Sequence, residues 1–168
     1  MAITLFSHAV CRQHNAGDDH PECPARLDAI NDQLIRSGLD YILQQKDATA
    51  ASKADLCRAH STLYVSELYA KAPTDGHIWL DPDTQMMNKT LQAALYAAGS
   101  GINAVDEVMQ ASDKQAFCAI RPPGHHATHD QAMGFCFFNN IAVAAEYALD
   151  KYQLERIAIV DFDVHHGN

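Results

Sequence analysis

The chain has 168 residues, 48% of them hydrophobic, and a formal charge of -9 with a pI near 5.4. That is enough apolar material for one domain with a real core rather than a disordered segment, and it disfavours nucleic-acid binding, which draws on clustered Lys and Arg. The opening Met1–His8 lacks a basic stretch followed by a long apolar run, no stretch approaches the about 18 apolar residues of a membrane span, and five scattered cysteines without a C-x-x-C pair suggest reduced thiols in a soluble, cytoplasmic setting.

Ile3–Phe6 reads as a first strand, followed by a polar segment, Ser7–Glu22, rich in His, Asp and Asn. Pro24 suits the first turn of a helix whose apolar residues Leu27, Ile30 and Leu34 have helical spacing and whose end is marked by Gly38. Ser61 can cap a second helix through about Lys71, after which Pro73, Asp75 and Gly76 signal a loop. Trp79 and Leu80 lead to Asp83, a good N-cap for a long helix over Thr84–Gln110, where Leu91, Leu95, Ala98, Ile102, Val105 and Met109 alternate steps of four and three. Gly99 and Gly101 weaken its middle or permit close packing. Ala116–Ile120 reads as a short buried strand, Phe138–Tyr152 as a helix and Arg156–Asp163 as a final strand, its run Ile157–Val160 apolar enough to be covered on both faces. Strands alternating with helices imply βαβ units and a parallel sheet in one α/β domain, with no repeat or linker to divide it.

The chemistry collects where strands end. Beyond Val160 comes Asp161-Phe162-Asp163-Val164-His165-His166-Gly167-Asn168. In extended backbone, Asp161, Asp163 and His165 share one face, outside the carboxyl end of the sheet where open α/β folds bind ligands. A bland reading, Asp161 capping a turn with Asp163 and His165 in solvent, stands beside a functional one in which a D-x-H pair supplies an oxygen and a nitrogen to Zn²⁺. The other segment is Arg121-Pro122-Pro123-Gly124-His125-His126-Ala127, where prolines and a glycine impose a stiff, tight path. Its histidines could be bonded to loop carbonyls; equally, one could take a proton from water, its far nitrogen held by a carboxylate or amide such as Asp161 or Asn168. Between the two lies Met133-Gly134-Phe135-Cys136-Phe137-Phe138-Asn139-Asn140. Three phenylalanines in four residues are ordinarily core, yet one ring could line a channel for an aliphatic stem.

These three segments, in this order, resemble the zinc-dependent histone deacetylase family, most nearly its class II-like and bacterial amidohydrolase branch; His20-Pro21-Glu22-Cys23-Pro24-Ala25-Arg26-Leu27 is similar to a further segment of that family. The resemblance implies the three-layer α/β/α arginase-deacetylase fold with a central parallel sheet, of which residues 1–168 make about half. It implies Asp163 and His165 as zinc ligands, His126 as general base, His125 as its charge-tuning partner, and Asp161 orienting His125 beside a potassium site. By the same resemblance Asn168 partners His126, Gly134 and Phe135 form the acyl-lysine tunnel wall with Cys136 beside them as a thiol open to oxidation or alkylation, and Arg26 lines an internal cavity. An acidic rim residue is Asp81 or Asp83. Family members carry a second aspartate ligand and a Gly-Gly-Tyr segment at positions beyond Asn168, so the expectation is an N-terminal deacetylase half that needs its C-terminal half or a complementing chain for a third zinc ligand. The expected activity is hydrolysis of an acyl, typically acetyl, group from lysine or a polyamine. The alternative is a fragment or partner chain without activity of its own; a manganese ureohydrolase relative fits the tandem histidines less well. Self-association is left open.

Overall fold

The computed structural model describes residues 2–17, 19–110 and 114–168. Its sheet has three parallel strands in the order β2-β1-β5, with β1 Ala2–Ser7, β2 Leu43–Asp47 and β5 Lys114–Cys118. The first crossover passes through α1 (Ala25–Arg36) and moves the chain to one side of β1. The return runs through α2 (Lys53–Leu56), α3 (Thr62–Lys71), the hairpin β3–β4 (His77–Trp79, Gln85–Met87) and α4 (Thr90–Met109), and sets β5 on the other side. Right-handed crossovers running in opposite directions cover opposite faces of a sheet.

Alternation along β1 matches that rule. Leu5 clusters with Leu27 of α1, while Thr4 on the opposite face donates to Glu107 of α4. Glu107 also accepts from Lys46 on β2 and Lys114 on β5, each at 2.8 Å, so one buried carboxylate clasps all three strands. Those two lysines hold its pKa down to about 2. Helix α5 (Asn140–Tyr152) packs on α4 outside the sheet and completes three layers, α/β/α. Phe137 and Phe138 are 1% exposed in the cluster shared by α3, α4 and α5, and burying a ring of that size contributes about 2–3 kcal/mol.

Most expected elements form, with shifted ends. The Ser61 hydroxyl accepts from Tyr64 N–H and caps α3, as its sequence position predicts. The long helix begins at Thr90, because Gln85–Met87 pair with His77–Trp79 and the Thr90 hydroxyl accepts from Met87 N–H. Asp83 is therefore no helix cap. Gly99 permits direct backbone contact: a β-carbon there would lie 1.9 Å from the Thr49 carbonyl oxygen, where the loop after β2 crosses α4.

The expected final strand is corrected. Residues 156–163 have no regular secondary structure, and Ile159 and Val160 are 52% and 82% exposed. Apolar character alone does not make a strand; a ladder partner does, and among the described residues β5 pairs with β1 only. The segment is held instead by its polar end, through Asp161 to His125 and through the Asn168 N–H to the His125 carbonyl. Among the described residues, no helix is long and apolar enough to cross a membrane.

Candidate active site

β2 and β5 leave β1 on opposite sides, so the carboxyl ends of β1 and β5 flank a topological switch point, the usual crevice of an open α/β sheet. The loop after β1 brings His14, His20 and Glu22 to that crevice, and the loop after β5 brings Arg121, His125 and His126. A cavity of about 690 Å³ opens between them, lined by His125, His126, Gly134, Phe135, Asp163 and His165 among others. These six of the residues selected from sequence thus share one cavity, whose lining does not include Asp161 or Asn168.

The histidine loop is fastened at both ends. The Asn140 side chain donates to the Pro122 carbonyl and that of Asn139 to the Ala127 carbonyl, while Asn139 also caps α5 by accepting from Ala142 N–H. His60, 1% exposed, donates from Nδ1 to Thr128 and accepts the Asn139 N–H at Nε2. Burial lowers its pKa, in keeping with a neutral ring that must accept at one nitrogen.

His125 Nδ1 lies 2.9 Å from Asp161 Oδ2. A carboxylate only accepts, so Nδ1 carries the proton and the tautomer is set. That hydrogen bond, and next the one from Asp163 N–H, hold the Asp161 carboxyl below the usual carboxylate range. The His165 N–H does the same for Asp163. Asp161 accepts from Asp163 N–H and Asp163 from His165 N–H, so the segment curls through successive Asx turns rather than running extended. Asp163 and His165 are brought together, with His165 Nδ1 3.4 Å from Asp163 Oδ1, while the Asp161 carboxylate turns to His125.

His126 lies between the two segments, its ring centroid 4.1 Å from that of His125 and 6.0 Å from that of His165. The amide of Asn168, expected beside His126, donates instead to Met133 Sδ. Beneath the ring runs a two-residue turn, Met133 to Cys136, whose inner residues Gly134 and Phe135 both have positive φ, 55° and 67°. That conformation suits Gly134 and strains Phe135. The Phe135 N–H is held by the Thr84 hydroxyl, and its ring meets His20 edge-on at 4.6 Å. Of the three clustered phenylalanines, then, Phe137 and Phe138 are core and Phe135 is cavity wall. Cys136 is fully buried and burial pushes its thiol up to about 12, the opposite of the reactive cysteine expected beside the wall.

Asp83 and Arg26 line the cavity. Asp81 shapes the hairpin loop by accepting from Asp83 and Thr84 N–H. Asp163 and His165 provide an anionic oxygen and an imidazole, the donor types that suit zinc. Among the described residues no cluster gathers three His, Cys, Asp or Glu side chains in metal-binding range. Sequence reasoning missed His14, Glu22, Thr90 and the role of Arg121; the one signal was a charged arginine directly after an apolar strand, which demands a buried partner.

Residues 20–168 match the family model described as the histone deacetylase domain. The histone deacetylase-like amidohydrolase of Pseudomonas aeruginosa is 40% identical over 156 residues, 93% of this chain and 41% of that protein. The human polyamine deacetylase HDAC10 is 38% identical over 164 residues, 89% of this chain and 24% of that protein. The crystal structure of the HDA15 HD domain superposes with a TM-score of 0.83 at 28% identity, covering 89% of this chain and 43% of that one. The chain spans about half the length, or less, of the curated relatives it matches.

Proposed function

Because this chain belongs to the histone deacetylase family, we propose that its switch-point cavity is one part of a zinc-dependent hydrolase that removes acetyl or a related acyl group from lysine side chains or polyamines. The observation that carries this reading is the meeting of His126 with Asp163, His165 and Phe135 in one cavity. Phe135 and Gly134 form a wall suited to the aliphatic stem of an acyl-amine. Asp83 lines the same cavity, which supports it over Asp81 as the rim residue that holds the substrate backbone.

His126 takes a proton from the attacking water and returns one to the leaving amine. His125, its Nδ1–H held by Asp161 and its ring centroid 4.1 Å from that of His126, tunes the charge of its neighbour. Asp163 and His165 would hold zinc, with Asp161 behind them beside a potassium ion. Zinc held there would supply a lowered pKa to a bound water and polarisation of the acyl carbonyl. The downstream aspartate ligand and the tyrosine that the resemblance implies belong to the rest of this proposal, as do a cytoplasmic setting and a complementing C-terminal half.

Two donors at Asp163 and His165 also support a second reading, in which residues 1–168 alone have no deacylase activity. Zinc titration of the full-length protein, followed by turnover of acyl-amines, tests the first. Chelation should abolish turnover, zinc should restore it, and Asp163→Ala should weaken zinc binding and activity together. Turnover indifferent to chelation and to Asp163→Ala would overturn the zinc assignment.

A further inference from the structure

The side chain of Arg121 is 3% exposed, and all five of its N–H donors are engaged. Nε and Nη2 grip the Glu22 carboxylate in a fork, each bond 2.6 Å long. Nη1 donates to the carbonyls of Cys11 and His14, and Nη2 donates again to the Glu22 carbonyl. Glu22 is also met by His14 Nε2 at 3.3 Å, and His14 Nδ1 lies 2.8 Å from the Thr90 hydroxyl at the start of α4. That hydroxyl accepts from Met87 N–H. His14, Glu22, Thr90 and Arg121 are each no more than 5% exposed.

We infer that this buried relay, Thr90 to His14 to Glu22 to Arg121, positions the histidine loop relative to the segment that carries His20. Arg121 stands four residues before His125 at the root of the histidine loop. Glu22 stands two residues after His20, whose ring packs on Phe135. One fork therefore ties the segment carrying the base to the segment whose His20 supports Phe135. Burying a charged pair is costly, and a hydrophobic pair of similar volume would often be at least as stable. What the fork supplies that an apolar contact does not is fixed direction at both ends. The residues act through His125, His126 and His20 and are positioning residues. The inference rests on the hydrolase reading for its kinetic consequence but not for its geometric one.

The test is Arg121→Lys in the zinc-loaded full-length protein, with Thr90→Val as a milder variant that leaves the fork intact. Lysine keeps the charge but offers three donors from a point and cannot reproduce the fork. A misplacement of about 1 Å costs up to about 100-fold, so kcat per folded molecule should fall about 10- to 100-fold for Arg121→Lys and less for Thr90→Val, with KM within about threefold. The imidazole ring resonances of His125 and His126, followed by NMR, should shift or double in both variants. If both variants fold, keep kcat and leave those resonances unmoved, the relay merely stabilises the fold and the inference is overturned. If the wild type turns over no acyl-amine, the hydrolase reading fails by itself, and the ring resonances still decide the positioning role.

Discussion

Gly134 packs so closely beneath the ring of His126 that a β-carbon at position 134 would lie 2.5 Å from its Cδ2. The glycine's φ of 55° adds a second constraint, since a side chain there is strained by about 1–2 kcal/mol whatever the space around it. The turn that presents Phe135 to the cavity and the seat of the proposed base are therefore one feature.

Gly134→Ala should lower stability by about 1–2 kcal/mol and, beyond that, displace His126. Chemical denaturation gives the first quantity and kcat per folded molecule the second. A variant that loses stability but keeps full kcat would show that the close contact does not govern the position of the ring.

Acid should weaken the fold in two steps. His60 is neutral in the fold, and burial lowers its pKa from the ordinary 6.5. The unfolded chain then binds that proton more readily, so this contribution is complete above about pH 6.5 and is lost as pH falls toward the depressed value. For Glu22, burial pushes its pKa up, but hydrogen bonds from His14 and Arg121 outweigh it and leave the carboxyl below the ordinary 4.5. Its contribution is present above that value and is lost as pH falls below it. Urea unfolding across this range should show stability declining from about pH 6.5, with a further decline below about pH 4.5. His60→Asn should be less stable at neutral pH, by about 2 kcal/mol through loss of two buried hydrogen bonds, and should lack the first decline. An unchanged slope in that variant would assign the first step elsewhere.

Cys136, raised to about 12 and buried, should resist alkylation in the folded protein near pH 8 and react only on unfolding. Mass spectrometry after iodoacetamide treatment reads this directly. Rapid labelling of Cys136 in the native state would mean that the turn at Gly134 opens.

Several of these features are legible in the local chemistry of the chain. The Leu27 and Leu91 periodicities and the Ser61 cap are short-range patterns, and each falls on a helix that the sequence announces. Where the outcome hangs on partners far along the chain, reading fails. Leu43–Asp47, four polar residues after one leucine, forms a strand only because β1 supplies its ladder. Ile157–Val160, far more strand-like in composition, lies outside the sheet. The fork joining Glu22 to Arg121 spans 99 residues of sequence; an arginine after an apolar strand calls for a buried partner but does not say which residue it is. Asp161, Asp163 and His165, expected along an extended strand, lie instead on successive Asx turns that a simple alternation does not foresee.

The central claim is that His126 acts as a base in acyl-amide hydrolysis. Its most direct test compares the zinc-loaded full-length protein with its His126→Ala variant, both shown to be folded, on acetyl-lysine peptides and acetylated polyamines. Turnover by the wild type and a loss of about 10²- to 10⁴-fold in the variant is the predicted result. No turnover of any acyl-amine, or turnover unchanged by the substitution, would contradict it.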